Sequence, residues 1–437
     1  MKIDTLSLNN FRRFADFNTS FHPKLTVVVA RNGQGKTSVL DGIAIALGTF
    51  VGAFDMGKAR SIERTDARYQ RRYNSPENEQ QYPVKVEADI SITNHEPIKV
   101  LRELISPKGN TTTKDASQLT EYGKSLMERV RGLEDVKLPV ISYYGSGRLW
   151  VVHKDMQRKK VLSESRSLGY EDCLTPASNF KQLQQWMGKA TLAVMQQQQM
   201  PEYKDYKFAD QVEGIKHAVN EALSEEDWRG FHYSLTHEEL AMQHEEHGLL
   251  PVSLLSDGIR AMVSLVADLA WRCTKLNPHF GKEAPQKTPG IVLIDEVDLH
   301  LHPAWQQRVI RSLTSVFPAV QFVVTTHSPQ VLSTVARESI RLIKFDRQAA
   351  SSSEKPLAVS YGEESQNVLQ AIMEVDPQPP VPEREQLERL TTLVESGNYQ
   401  SGEATLLLQQ LRERLSSHHP QLQRLERSIR RQEALRQ

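Results

Sequence analysis

Two cysteines in 437 residues, Cys173 and Cys273, exclude a disulfide-built fold, and their spacing suits no metal site. Net charge is absent as well. Fifty-four Lys and Arg balance 54 Asp and Glu, which excludes nucleic-acid binding by bulk charge and an acidic tail, though not a local patch. Long hydrophobic runs are missing too. The most apolar stretch, Gly42 to Phe54, is too short to span a bilayer and follows Asp41. No secretory leader is read ahead of the first strand-like segment, so a reducing cytoplasm and no membrane partner are the expectation. No internal repeat interrupts the chain. What remains is 49.7 kDa with 39% apolar residues and a mean hydropathy of -0.49, enough for a sizeable core.

Short β-branched runs at Leu25–Ala30, Ile291–Ile294 and Val320–Thr325 predict buried strands, and Ile340–Phe345 one more. The first three end at chemically active residues, the pattern of an α/β sheet with ligands at its strand C-termini. Alternation from Pro83 to Ile105, with a turn at Asn94–Pro97, predicts an antiparallel hairpin, and Phe231–Val252 a second. Residues 151–227 read as a helical insertion. Residues 376–382, with four prolines, form a stiff linker. Beyond it, leucines at helical spacing, punctuated by Gly397 and Pro420, predict three helices over 383–437. Residues 1–375 make the head.

The segment Ala30-Arg31-Asn32-Gly33-Gln34-Gly35-Lys36-Thr37-Ser38 follows a predicted strand and opens a predicted helix. It reads as a P-loop: glycines let backbone N–H groups curl around phosphate, Lys36 neutralises it, and the Thr37 hydroxyl ligates Mg2+. Asn32, Gly33, Gln34, Gly35, Lys36, Thr37 and Ser38 are thus the expected ATP contacts. Ala30 stands where the first glycine is usual, tolerable if its backbone is not left-handed. At the end of the Ile291 strand, Asp295 is expected to support the metal and Glu296 to act as general base. His327, in Thr325-Thr326-His327-Ser328-Pro329, ends the next strand, where an imidazole can sense the γ-phosphate. Leu255-Ser256-Asp257-Gly258 precedes an apolar helix whose N-terminus presents donors to an anion.

The order P-loop, Ser-x-Gly helix, acidic strand, histidine strand resembles the ABC-type ATPases. The resemblance implies an α/β ABC-type head whose heads dimerise head to tail around ATP and Mg2+. It implies that Ser256 and Gly258 close the opposite site, and that Asp298 is the D-loop aspartate. Asp257 departs from the transporter signature, and the Q-loop glutamine is missing where Pro139–Trp150 lies. Leu8-Asn9-Asn10-Phe11-Arg12-Arg13-Phe14 resembles the start of the RecF, Rad50 and SMC branch, implying a nucleotide contact for Arg12; a plain surface arginine pair stays open. The insertion is too short for coiled-coil arms.

The Leu40–Leu47 helix, Gly57-Lys58-Ala59-Arg60, Tyr143–Trp150 and Leu255–Gly258 resemble the PtuA-type ATPases of Septu and retron-associated antiphage systems. That resemblance implies a PtuB-like HNH nuclease as partner and, in some systems, a retron reverse transcriptase with its RNA–DNA hybrid (msDNA). Three readings stay open beside it: a RecF-like DNA-repair ATPase that binds DNA, an ATPase paired with a Toprim nuclease, and a transporter subunit. Six cations in Gly57–Arg72 make either a DNA, RNA or nucleotide contact or a solvated surface. His237, His244 and His247 read as hairpin residues rather than metal ligands. The C-terminal helices either fold back on the head or dock a partner.

Overall fold

The computed structural model describes all residues except 72–76, 148–164, 177–179, 201–207, 346–350, 417 and 437. Arg72 and Arg148-Leu149-Trp150, used in the sequence reading, lie outside the described residues, as does the start of the 151–227 segment. The chain divides into two compact units, Met1–Met373 and Glu374–Gln437.

The first unit is built on two sheets. Largely buried apolar strands, with one polar edge strand, make the central one, in the order Ser351–Glu354, Ile340–Phe345, Leu25–Val29, Val320–Thr325, Gly290–Ile294, Val140–Tyr144. All its pairings are parallel except that of the short Ser351–Glu354 edge. Burial on both faces is why these strands read as continuous apolar runs. The other sheet is antiparallel, in the order Phe14–Ser20, Lys2–Phe11, Val84–Ser91, Ile98–Leu104. There Val84–Ser91 alternates strictly between buried and half-buried, as a one-faced strand must. Its hairpin with Lys2–Phe11 and Phe14–Ser20 was not anticipated, because its turn is Arg12–Arg13, with Arg12 at φ 51° and no glycine.

Between the sheets runs the helix Lys36–Val51, buried over nearly its whole surface. Gly42 lets it approach the antiparallel sheet: a Cβ there would lie 2.8 Å from Leu8 Cδ2. Two buried polar groups tie the layers. Gln321 exchanges hydrogen bonds with the Ile3 backbone at 2.8 Å each way, and Arg102 donates to the Ile45 carbonyl at 3.1 Å. Such groups register a core only when satisfied, as these are.

Helices Phe180–Gln199, Phe208–Ala222 and Asp257–Leu276 accompany a third sheet, Trp228–Ser234, Glu239–His244 and Gly248–Pro251. One hairpin was expected here. Gly248, at φ 71°, reverses the chain again and adds the third strand. The second unit contains helices Arg384–Glu395, Gly402–Leu415 and Pro420–Arg436 around Leu387, Leu390, Val394, Leu411 and Leu422.

Candidate nucleotide site

The loop between strand Leu25–Val29 and helix Lys36–Val51 holds two left-handed glycines, Gly33 at φ 72° and Gly35 at φ 90°. Gly35 is also pressed against an aromatic ring, since a Cβ would lie 2.6 Å from Phe14 Cζ. Ala30 has no positive φ, so its methyl costs nothing. The loop is braced from within by Gln34 Oε1, which accepts from the Arg31 N–H at 3.0 Å. Lys36 Nζ donates to the Ala30 carbonyl at 3.1 Å. Burial lowers the Lys36 pKa, while Asp295, Glu296 and Asp298 pull it upward. Gly35→Ala is expected to abolish nucleotide binding while leaving the melting temperature within a few degrees, measured by fluorescent-nucleotide titration and calorimetry; retained binding would show that the turn tolerates a Cβ.

Asp295 leaves the buried strand Gly290–Ile294 and accepts two hydroxyls, Thr37 Oγ1 at 2.9 Å and Thr325 Oγ1 at 2.6 Å. The P-loop helix, the acidic strand and the histidine strand therefore meet at one carboxylate. Next to it Glu296 adopts φ 49°, uncommon for a side chain without local relief. Its N–H donates to Thr325 Oγ1 at 2.8 Å, which holds that bend. Thr326 Oγ1 donates to Asp298 Oδ1 at 2.6 Å, so Asp298 is fixed by the strand that leads to His327. The His327 pKa is lowered, by burial first and then by Lys36, against the opposing pull of Asp298, Glu296 and Asp295. A hydroxyl beside a carboxylate at the end of a phosphate cradle is a donor set that fits Mg2+ and a triphosphate.

Ser256 caps helix Asp257–Leu276 by position, but its side chain makes no capping hydrogen bond and it is exposed. Gly258 is required by close packing, as a Cβ would meet the His300 carbonyl oxygen at 2.8 Å. Among the described residues no hydrogen bond joins Ser256 or Gly258 to the P-loop or Asp295. Beside them Leu254 is 69% exposed.

Arg12 is not on the loop itself. It pairs with Asp41 and, through Nε at 2.8 Å, with Asp66, and these carboxylates outweigh burial and raise its pKa. The arginine that touches the P-loop is Arg13, whose Nη1 donates to the Gly33 carbonyl at 2.7 Å. Arg60 Nη2 reaches Asp41 Oδ1 at 2.7 Å. Asp41, Arg60, Tyr143 and Ser146 join Thr37 and Asp295 around a cavity of about 320 Å³. The sequence offers Arg60 only within the basic stretch, as a nucleotide or nucleic-acid contact, and gives Asp41, Tyr143 and Ser146 no site role. Asp41 lies four residues after Thr37 and so on the same helix face. Gly145-Ser146-Gly147 reaches this cavity from the strand next to Asp295, where a Q-loop was sought.

Of the cations in Gly57–Arg72, Lys58 is spent on Asp172 at 3.0 Å and Arg60 on Asp41. His244 stacks on His247, 4.5 Å between centroids, and no metal-type cluster occurs among the described residues.

A family model described as an AAA domain matches residues 5–227, just over half of the chain. The chain belongs to the AAA-domain family. A second AAA-domain model matches residues 145–333. Together these AAA-domain matches take in the P-loop, the Ser256 helix, the acidic strand and His327, and the enzyme class is ATPase, on an α/β head. The AAA-domain chain is 25% identical to "Retron Vc95 probable ATPase" of Vibrio cholerae, over 91% of this chain and 84% of that one. It is 42% identical to "Retron Ec83 probable ATPase" of Escherichia coli over 36% of this chain and 28% of that one. To "Septu protein PtuA" of Bacillus thuringiensis it is 28% identical over 30% and 34%. It thus resembles retron-associated and PtuA-type ATPases. No described helix is long and apolar enough to cross a membrane.

Proposed function

We propose that this chain is the ATPase subunit of a cytoplasmic antiphage defence complex and governs a separate nuclease. The observation that carries the reading is the convergence of Thr37, Thr325 and Asp295 at the mouth of a glycine cradle, with Glu296 one residue on. The backbone of Asn32–Ser38 and Lys36 would hold the phosphates, and Thr37 with Asp295 would hold Mg2+, which would supply charge neutralisation at the γ-phosphate. Glu296 accepts a proton from the attacking water, and His327 touches the γ-phosphate.

Ser256, Gly258 and Asp298 complete the site of a second copy, head to tail. The exposed, uncommitted Ser256 hydroxyl and its exposed neighbour Leu254 support this. The retron and Septu names of the relatives support a defence system. The partners we propose for it are a PtuB-like HNH nuclease and a retron reverse transcriptase with its msDNA, docked through residues 383–437.

Action in trans has a direct test. Lys36→Ala and Ser256→Arg are each expected to lack turnover. Mixed in equal amounts, they should recover roughly a quarter of wild-type activity, because half the dimers then hold one intact composite site. No recovery on mixing would remove the trans arrangement. Purification of the chain from its host, with identification of the co-purifying protein, tests the nuclease; a membrane permease in its place would sink the defence reading.

A further inference from the structure

The Glu374–Gln437 unit has nine arginines, ten carboxylates and no lysine. That near balance hides a segregation. Before Pro420 there are four arginines against eight carboxylates; from Pro420 onward there are five against two.

The pairing follows the same division. Arg384 meets Asp376 and Glu388, Arg389 meets Glu403 at 2.7 Å, Arg412 meets Glu426 at 2.8 Å, and Arg414 lies 3.9 Å from Glu383. Every arginine on the first two helices thus has a carboxylate. On the third, Arg424, Arg427, Arg430 and Arg431 are exposed, and no ion pair involves them among the described residues. Arg427 makes only a bond from Nε to the Gln423 carbonyl of its own helix, at 3.2 Å.

Helical geometry gathers them. Leu422, Leu425 and Ile429 face the core of the unit, and Gln432 Nε2 donates to the Val394 carbonyl at 2.9 Å. At 3.6 residues per turn, Arg424, Arg427 and Arg431 fall opposite that face, with Arg430 on its flank. They form a stripe about 10 Å long. Between Arg424 and Arg431 this face carries no apolar side chain. Like charges three and four residues apart destabilise a helix, so the stripe does not serve the fold.

We propose that this stripe binds the phosphodiester backbone of a nucleic acid. Guanidinium forks donate two bonds to one phosphate, and a row of them matches a regularly repeating anion. A protein partner would need an apolar anchor at the centre of its contact, and the stripe offers none. The contact reads backbone rather than sequence. This inference does not rest on the ATPase reading.

The test uses the full chain and labelled 20-nucleotide single-stranded DNA and RNA of one sequence, titrated by anisotropy at several salt concentrations. In Arg424→Glu/Arg427→Glu/Arg431→Glu, affinity should fall at least about tenfold, and the salt dependence of log K should flatten by about two, as expected for three lost phosphate contacts. Arg424→Gln/Arg427→Gln/Arg431→Gln, which keeps helix propensity, should show the same flattening with a smaller loss of affinity. Reversal of Arg68 and Arg71 on the head is the comparison. Whichever nucleic acid loses more identifies the source. Circular dichroism and ATP turnover should match wild type. The proposal is overturned by absent salt-dependent binding in the wild type, by unchanged slope in both triple variants, or by retained nucleic-acid binding with loss of self-association on sedimentation.

Discussion

Glu296→Gln is expected to lower ATP turnover by about 10²–10⁴-fold while nucleotide affinity stays within a few-fold of wild type. The substitution preserves volume and hydrogen bonding but removes the ability to take a proton. Two neighbouring carboxylates compete for the role, and the geometry separates them. Asp295 accepts hydrogen bonds at both oxygens, from the Thr37 and Thr325 hydroxyls, so both are already engaged in tying the P-loop helix to the neighbouring strand. Glu296 is turned out of the strand direction by its positive φ. That conformation costs about 1–2 kcal/mol and is held by the Thr325 hydroxyl at its own N–H and by the Leu299 N–H at its carbonyl. Strain at a site residue is retained where surrounding bonds fix it. Phosphate release and nucleotide titration of the purified variant check the claim; turnover within tenfold of wild type would place the base elsewhere.

How far the site could be read in advance depended on how local its chemistry is. Gly33, Gly35, Lys36 and Thr37 act through one turn of backbone, so order and residue type suffice. Asp295, Glu296 and His327 were visible because each ends a continuous apolar run, and parallel strands deliver their ends to one edge. Arg12 was visible as a residue but its partners were not. Asp41 and Asp66 lie far along the chain, and no pattern links them to it. Arg13, one position on, is the side chain that reaches Gly33. Summed charge concealed the C-terminal arginines for a different reason: composition counts carboxylates that pair elsewhere. The zero net charge excluded binding by bulk charge and left a three-residue stripe untouched by that argument.

The largest loss of stability is expected at a buried ion pair inside an apolar helix. Asp268 and Arg272, on the helix that begins after Ser256, form a salt bridge with side chains 0% and 2% exposed. Burial disfavours the Arg272 charge, but Asp268, with Tyr144 and Cys173, raises its pKa above the ordinary value. Its Nη1 donates to the Gly169 and Glu171 carbonyls at 2.9 and 3.1 Å, so the guanidinium cannot turn toward water. Tyr144 donates its hydroxyl to the same Asp268 oxygen at 2.7 Å. Asp268→Ala strands a buried cation and a buried hydroxyl together, at a cost of about 3–5 kcal/mol. Asp268→Asn keeps one acceptor and should lose less. In Asp268→Ala/Arg272→Met the stranded charge is gone, so the double variant should be more stable than Asp268→Ala alone. Calorimetric unfolding orders the three. Because the Tyr144 carbonyl accepts the Asp295 N–H at 2.8 Å, the same network joins the Ser256 helix to the strand that carries Asp295. Turnover should therefore fall in Asp268→Asn even below its melting transition, and unchanged turnover there would confine the network to stability.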